Sequence, residues 1–338
     1  MTCDLYYRKL YSGIRRQGMI VPIDVLSANL ASPALGFFAL GVIATRMKSD
    51  LSFPEQAAKA LSIYLLIAIG FKGGVKLRAE GFTSELMLGV TAGLFLAITL
   101  PLIAYAILRW FTPVSTIDAA AVAAHYGSVS VVTFVAATAF LSAMGESSEG
   151  FMITLLAIME VPAILIGIYL ARRGGASTGN HRFIDSLTHG PVILLIGAAA
   201  VGCATGEAGM AQLEGFLVTP FLGVLALFLL DMGIVAARRI GELKKAGLRL
   251  LAFGMIMPLI GGSLGVLTGT AIGLTVGGVT LLGVLAASAS YVAAPAAIRE
   301  AVPDANPALS LGLALGVTFP FNLIVGIPLI YTAAQLLA

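Results

Sequence analysis

The sequence predicts an all-α integral membrane protein of about ten transmembrane helices, built as a 5+5 inverted-topology repeat with helices 4 and 9 broken. Three observations predict it. Of 338 residues, 59% are hydrophobic and 11% charged, with a mean hydropathy of +0.99. A soluble domain carries about 25% charged residues, so this chain cannot cover a water-facing surface and lipid is its solvent. A span takes roughly 20 apolar residues, so ten spans and short connections fill the length and leave no room for a soluble domain. Finally, Gly, Pro and Ser marks recur in order at offsets of 157 to 160 residues, the signature of a duplicated unit.

The chain opens on a tail, residues 1–31, with Arg8, Lys9, Arg15 and Arg16 near its start. It lacks the short apolar core of a cleavable leader. Apolar runs bounded by charge or turn residues then follow in order. Ser32–Met47, Ala57–Val75, Leu86–Trp110, Asp118–Ala143 and Phe151–Ala171 make the first half, residues 32–171. A linker, residues 172–186, is Gly/Ser-rich in Arg173–Asn180 and reads as flexible. Leu187–Cys203, Phe216–Ala237, Leu248–Ile272, Val279–Ile298 and Pro307–Leu336 make the second half, residues 187–338. Several runs carry Gly or Pro well inside them. Irregular backbone is not tolerated against lipid, so these breaks are expected to face protein or a watery cavity.

Basic residues orient the chain. Connections 1–2, 3–4, 5–6, 7–8 and 9–10 hold thirteen Lys and Arg, and the opposite side holds seven, four of them in the leading tail. Both termini are expected outside and the linker in the cytoplasm. Translation starting at Met19 rather than Met1 removes the four tail charges that oppose this orientation.

The repeat shows in five pairs of marks. Ser32-Pro33 matches Gly190-Pro191, Gly74 matches Gly233, Gly127-Ser128-Val129-Ser130 matches Ala287-Ser288-Ala289-Ser290, and Pro162 matches Pro320, with Pro101 and Pro258 a weaker pair. An odd number of helices per half sends the second half into the membrane from the opposite side, a plan typical of secondary transporters.

The paired segments His125–Thr133 and Ala287–Pro295 carry the expected chemistry. Small and hydroxyl residues lie mid-span, with Gly127 and Pro295 loosening the helix. A broken helix exposes N–H groups at the start of its second half, where the dipole favours an anion. Freed carbonyls and hydroxyls suit a sodium ion. Gly127, Ser128, Ser130, Thr133, Ser288, Ser290 and Tyr291 are the substrate candidates. Small residues also serve close helix packing, the competing reading. Intramembrane charges are functional candidates by default. Glu160, two residues before Pro162, and Asp231 are candidates for cation binding or coupling. So is Asp118, which also suits a helix cap. Lys72 occupies the position equivalent to Asp231, and the two either pair or reach separate interfaces. His125 reads as a proton relay or as a hydrogen-bonded structural histidine. Gly261, Gly265, Gly269 and Gly273 recur each four residues and predict a close helix contact.

Several functions are excluded. No HExxH, GxSxG or GxxxxGK[ST] pattern occurs, so the chain is not expected to be an enzyme or a nucleotide-driven pump, and no cofactor is expected. Cys3 and Cys203 form neither a CxxC motif nor a zinc spacing. The net charge of +3 is too small and scattered for nucleic acid binding.

The stretches Leu65–Arg78, Asp118–Thr133, Asp231–Leu243 and Ala286–Gly312, with Pro303-Asp304-Ala305-Asn306-Pro307 the most specific, resemble the sodium-dependent bicarbonate transporter family. Its best-known members are high-affinity sodium/bicarbonate symporters. The resemblance implies a homotrimer in the plasma (inner) membrane. A mobile core moves against a scaffold in an elevator-like way, and bicarbonate and sodium bind where the two broken helices meet. It implies binding roles for Gly127, Ser128, Ser130, Thr133, Ser288 and Ser290. In some members the linker region meets a small PII-like regulatory protein. This chain departs from the pattern with Tyr291 in place of an acidic residue, Glu160-Val161-Pro162 in place of Asp-Ile-Pro, and a much shorter linker. A sodium-coupled organic-acid carrier is the nearest competing function, and a membrane sensor or channel the competitor of another class.

Overall fold

The computed structural model describes residues 22–81, 83–177, 190–243 and 247–338, and every element among them is helical. The elements are α1 (Pro22–Leu30), α2 (Pro33–Arg46), α3 (Glu55–Glu80), α4 (Ser84–Phe111), α5 (Thr116–Gly127), α6 (Val131–Met144) and α7 (Met152–Arg173) in the first half. The second half holds α8 (Gly190–Leu217), α9 (Phe221–Leu243), α10 (Leu248–Ala271), α11 (Val276–Ala287), α12 (Ala293–Ala301) and α13 (Pro307–Leu337).

Local chemistry fixes the helix ends. Ser32 accepts from the Leu35 N–H with Pro33 at the first helical position of α2, a favoured start. Ser115 caps α5 through the Asp118 N–H at 3.0 Å and returns its own hydroxyl to the Asp118 carboxylate at 2.8 Å. Thr275 caps α11, and Asn306 caps α13 with Pro307 behind it. Gly145 ends α6 with φ at 74°, a left-handed conformation that glycine reaches without a Cβ clash.

Ten spans were expected. Among the described residues, eight helical segments are long and apolar enough to cross a membrane, and two are shorter. The expected first span is the 14-residue α2, and the expected ninth stops after the 12 residues of α11. At 1.5 Å per residue these cover roughly 18–21 Å, less than a bilayer core of about 30 Å. The end of the expected sixth span also moves, from Cys203: α8 continues to Leu217 past Gly206, which sits at φ 62° and bends it. Residues 22–30, read as part of the tail, form α1. The alternative start sites and most of the linker lie outside the described residues.

Two groups of helices follow from glycine contacts. In one, α3 lies on α8 and α2 lies on α9. Gly74 meets the Ala199 backbone and Gly202 the Phe71 carbonyl, while Gly41 meets the Leu230 carbonyl and Gly233 the Phe38 carbonyl. Backbones approach this closely only where no side chain intervenes. In the other group, α4, α5 and α7 pack together, and α10, α11 and α13 do the same. Gly261, Gly265 and Gly269 of α10 face α11 as their spacing predicts. Gly273 lies past the helix end at φ 78°.

α13 widens twice into π-helix, at Ala314–Thr318 and Asn322–Gly326. A proline leaves the carbonyl four residues earlier unpaired and crowds it. Pro320 does this to Gly316 and Pro328 to Ile324, and each widened turn contains that carbonyl. Asn29 of α1 donates its side-chain amide to the Leu323 carbonyl at 2.8 Å and reaches the Ile324 carbonyl at 3.3 Å.

Candidate functional site

Two helical runs are interrupted, and the interruptions meet. α5 ends at Gly127 and the chain resumes as α6 at Val131. α11 ends at Ala287 and resumes as α12 at Ala293. Gly127 allows the first interruption: a Cβ there would overlap the Pro101 ring of α4 and lie 2.7 Å from the Ala163 Cβ of α7. Ser128 and Ser288, the residues that cap the two stopped helices, are extended, at φ −85°, ψ 154° and φ −83°, ψ 163°.

The two breaks bond to each other reciprocally. The Ser130 N–H donates to the Ser288 hydroxyl at 2.9 Å, and the Ser290 N–H donates to the His125 carbonyl at 2.8 Å. The Ser288 hydroxyl passes its own proton to the Leu285 carbonyl at 2.8 Å. Ser130 caps α6, accepting from the Thr133 N–H at 3.2 Å and the Thr133 hydroxyl at 2.9 Å. Ser290 accepts from the Ala294 N–H at 3.3 Å at the start of α12. Ser128, Ser130, Thr133, Ser288 and Ser290 are each no more than 3% exposed. The structure thus brings both serine pairs, and Thr133, into one buried place.

α13 closes the crossing from one side. Asn322 donates its amide to the Ala287 carbonyl at 2.8 Å. Thr318 donates to the Gly254 carbonyl at 2.7 Å, so at 2.6 Å from Tyr126 it must accept the phenolic proton. The Asn322 Oδ1 and the Ser128 hydroxyl are buried with no partner among the described residues. The Tyr291 phenol faces Ser130 outside good hydrogen-bond geometry and stacks edge-on to Phe319 at 5.6 Å. Leaving buried polar atoms unpaired is costly, so these atoms, on segments next to the starts of two half-helices, are candidates to meet a polar guest. The N–H ends of α6 and α12 favour negative charge. The carbonyl ends of α5 and α11 favour a cation.

The acidic candidates fall in three different places. Glu160 is buried in α7 and makes no hydrogen bond or ion pair among the described residues. On α7, Gly167 touches Ala120 and Ala124 and Ala163 touches Gly127, so α7 runs antiparallel to α5. One turn further, Glu160 comes level with the break. Asp118 sits at the other end of α5, ten residues or roughly 15 Å along the axis from Ser128. Its two oxygens hold Ser115 and the Asn306 N–H. Asp231 is buried on α9, in the other helix group. Lys72 lies 4.3 Å over the Phe221 ring, and no ion pair joins it to Asp231 among the described residues.

Sequence reasoning passed over Thr318 and Asn322. Both were signalled by Pro320 and Pro328 in one apolar span, since prolines there imply freed carbonyls and polar side chains to meet them. A profile described as the Na+-dependent bicarbonate transporter superfamily matches residues 33–335, most of the chain. No curated protein sequence matches it.

Proposed function

The chain belongs to the Na+-dependent bicarbonate transporter superfamily, and from that premise we propose that it is a secondary transporter coupling sodium to the uptake of bicarbonate or a similar small anion. The observation that carries this reading is the reciprocal crossing of the two interrupted helices, through Ser130 to Ser288 and Ser290 to His125. Two half-helix N-termini and several hydroxyls at one buried point can hold a small anion without a buried arginine. In this reading the anion is held by Ser128, Ser130, Thr133, Ser288, Ser290 and Asn322, beside Gly127 and Tyr291, and sodium lies near Glu160 and the freed carbonyls.

The inverted 5+5 repeat belongs to the same proposal. Equivalent glycines support it: Gly74 seats α3 on α8, and Gly233 seats α9 on α2. The two helix groups supply the parts for elevator-like movement, with α2, α3, α8 and α9 as scaffold and the crossing helices as the moving core. A homotrimer, outside termini and a PII-like partner at the linker extend the proposal from the family plan. Coupling has a physical reason. An inside-negative potential opposes anion uptake by about 2.3 kcal/mol per charge per 100 mV, and two sodium ions per bicarbonate reverse that sign. Uptake of labelled bicarbonate into proteoliposomes tests the reading: accumulation should require an inward sodium gradient. Uptake indifferent to sodium would refute coupling.

A further inference from the structure

Beside the crossing lies a cavity of about 260 Å³ whose wall includes His125, Pro295, Arg299, Pro303, Pro307 and Ser310. It far exceeds the roughly 10–15 Å³ that one water needs by this kind of measure. Arg299 is exposed and supplies a cationic side chain to the wall, and His125, fully buried at 0%, stands behind the same wall. His125 is in turn tied to the second break, since its carbonyl receives the Ser290 N–H.

The histidine's two nitrogens are distinguishable. Nδ1 lies 2.8 Å from the Ala121 carbonyl. A carbonyl only accepts, so Nδ1 carries the hydrogen, and in the neutral ring Nε2 is left as an acceptor. Nε2 is buried and meets no donor among the described residues. An acceptor beside a cavity with a cationic side chain in its wall calls for a guest that is both an anion and a donor. Nitrate, halides and simple carboxylates such as acetate carry no proton to give. Hydrogen carbonate does: one oxygen holds a proton while the charge is shared by the other two.

We propose that His125 is a specificity-determining residue whose Nε2 accepts the O–H of hydrogen carbonate, so that the protein separates a proton-bearing planar anion from planar anions without one. This rests on the bicarbonate reading and adds the group that recognises the proton. The half-helix N–H groups and Arg299 are donors only and would take nitrate equally well; the Asn322 Oδ1, the other unpaired buried acceptor at the crossing among the described residues, is left in place in the test below. Sites built to hydrogen-bond one particular group reject analogues lacking it strongly.

The test uses the full chain in proteoliposomes under a sodium gradient, with labelled bicarbonate and nitrate as competitor. In the unsubstituted protein nitrate should compete at least about tenfold more weakly than unlabelled bicarbonate. His125→Asn places an amide N–H where Nδ1 was and removes the acceptor at Nε2. Its half-saturating bicarbonate concentration should rise about tenfold or more, and its preference over nitrate should fall toward one. His125→Gln restores an amide oxygen near Nε2 and should keep much of the preference. A His125→Asn protein that melts normally and keeps the full preference would overturn the assignment. So would nitrate competing equally with bicarbonate in the unsubstituted protein, a result that decides the matter even if the variants fail to fold. No sodium-driven bicarbonate uptake at all would instead strike the transport reading, and this assignment with it.

Discussion

Gly127 is the residue on which the crossing depends most directly. Any side chain there meets Pro101 and Ala163, both on helices fixed by further packing. Gly127→Ala is expected to cost about 1–3 kcal/mol, as overpacked cores do, and to lower the melting temperature in detergent; an unchanged melt would mean that α4 and α7 yield at no cost. Glu160 makes a contrasting case. It is buried with no partner among the described residues, so Glu160→Gln removes a charge without breaking an observed bond. Folding should survive, while the sodium concentration for half-maximal uptake should rise about tenfold or more, because an amide offers a cation only a dipole. Sodium activation that stays put would return Glu160 to a structural role. The serines were legible in the sequence because they stood in matched pairs. Asn322 was not, having no marked counterpart. Asp118 was ambiguous, since an acidic residue in the first turn reads equally as a cap; in the structure Ser115 is the cap, and the Asp118 carboxylate accepts from the Ser115 hydroxyl and from the Asn306 N–H of the loop before α13.

At the scale of elements, α13 and the loop before it carry the informative irregularities. α1 docks on α13 through Asn29, which meets carbonyls beside the second widened turn. Asn29→Ala should leave the Leu323 carbonyl unpaired in a buried place, costing about 1–3 kcal/mol. Faster amide exchange across Asn322–Gly326 would register it, and exchange identical to the parent would show that the turn holds without α1. The loop ahead of α13 is clasped twice: the Asp118 carboxylate takes the Asn306 N–H at 2.7 Å, and the Asp304 carboxylate takes the Ser177 N–H and hydroxyl at 2.8 and 2.6 Å. Those Ser177 donors hold the Asp304 carboxyl below its ordinary value. A lowered carboxylate contributes its tie fully above the unfolded value near pH 4 and loses it as pH falls through the lower folded value. Protection of the Ser177 amide from exchange should therefore be level from about pH 5 to 8 and vanish in Asp304→Ala. Protection that decays across that range would place the titration elsewhere. Helix breaks of this kind were partly readable. Pro and Gly announced that the backbone would open, but whether it stops, bends or widens depends on which neighbour meets the freed groups. That is why the ninth run ended early, at Ser288, and α8 did not end at Cys203.

For the whole molecule, the composition pointed to a lipid-solvated helical bundle, and the offsets are the basis on which two corresponding halves are proposed. What they could not dictate was grouping. The separation of α2, α3, α8 and α9 from the helices that bear the breaks depends on which glycine faces which backbone, and spacing along the chain does not encode the facing partner. Orientation remains open to a direct test. A cysteine at Ser177, in a Cys3→Ser, Cys203→Ser background, should be labelled only from the cytoplasmic side. Reaction with an impermeant reagent on intact cells would reverse the topology and remove the basis for the inverted halves.

The mutual bonding of the two breaks also has a consequence in time. The Ser130 N–H and its acceptor on Ser288 are 158 residues apart, and translation at roughly 5–20 residues per second separates their appearance by about 8–32 s. Throughout that interval the first half sits in the bilayer with an open helix and no acceptor for its exposed N–H. Something must satisfy it meanwhile: water, a headgroup, or an insertion factor that keeps nascent helices out of lipid. Biogenesis therefore carries a waiting state, and slowing ribosomes between the halves should lower the yield of folded protein more than slowing them after Ser290.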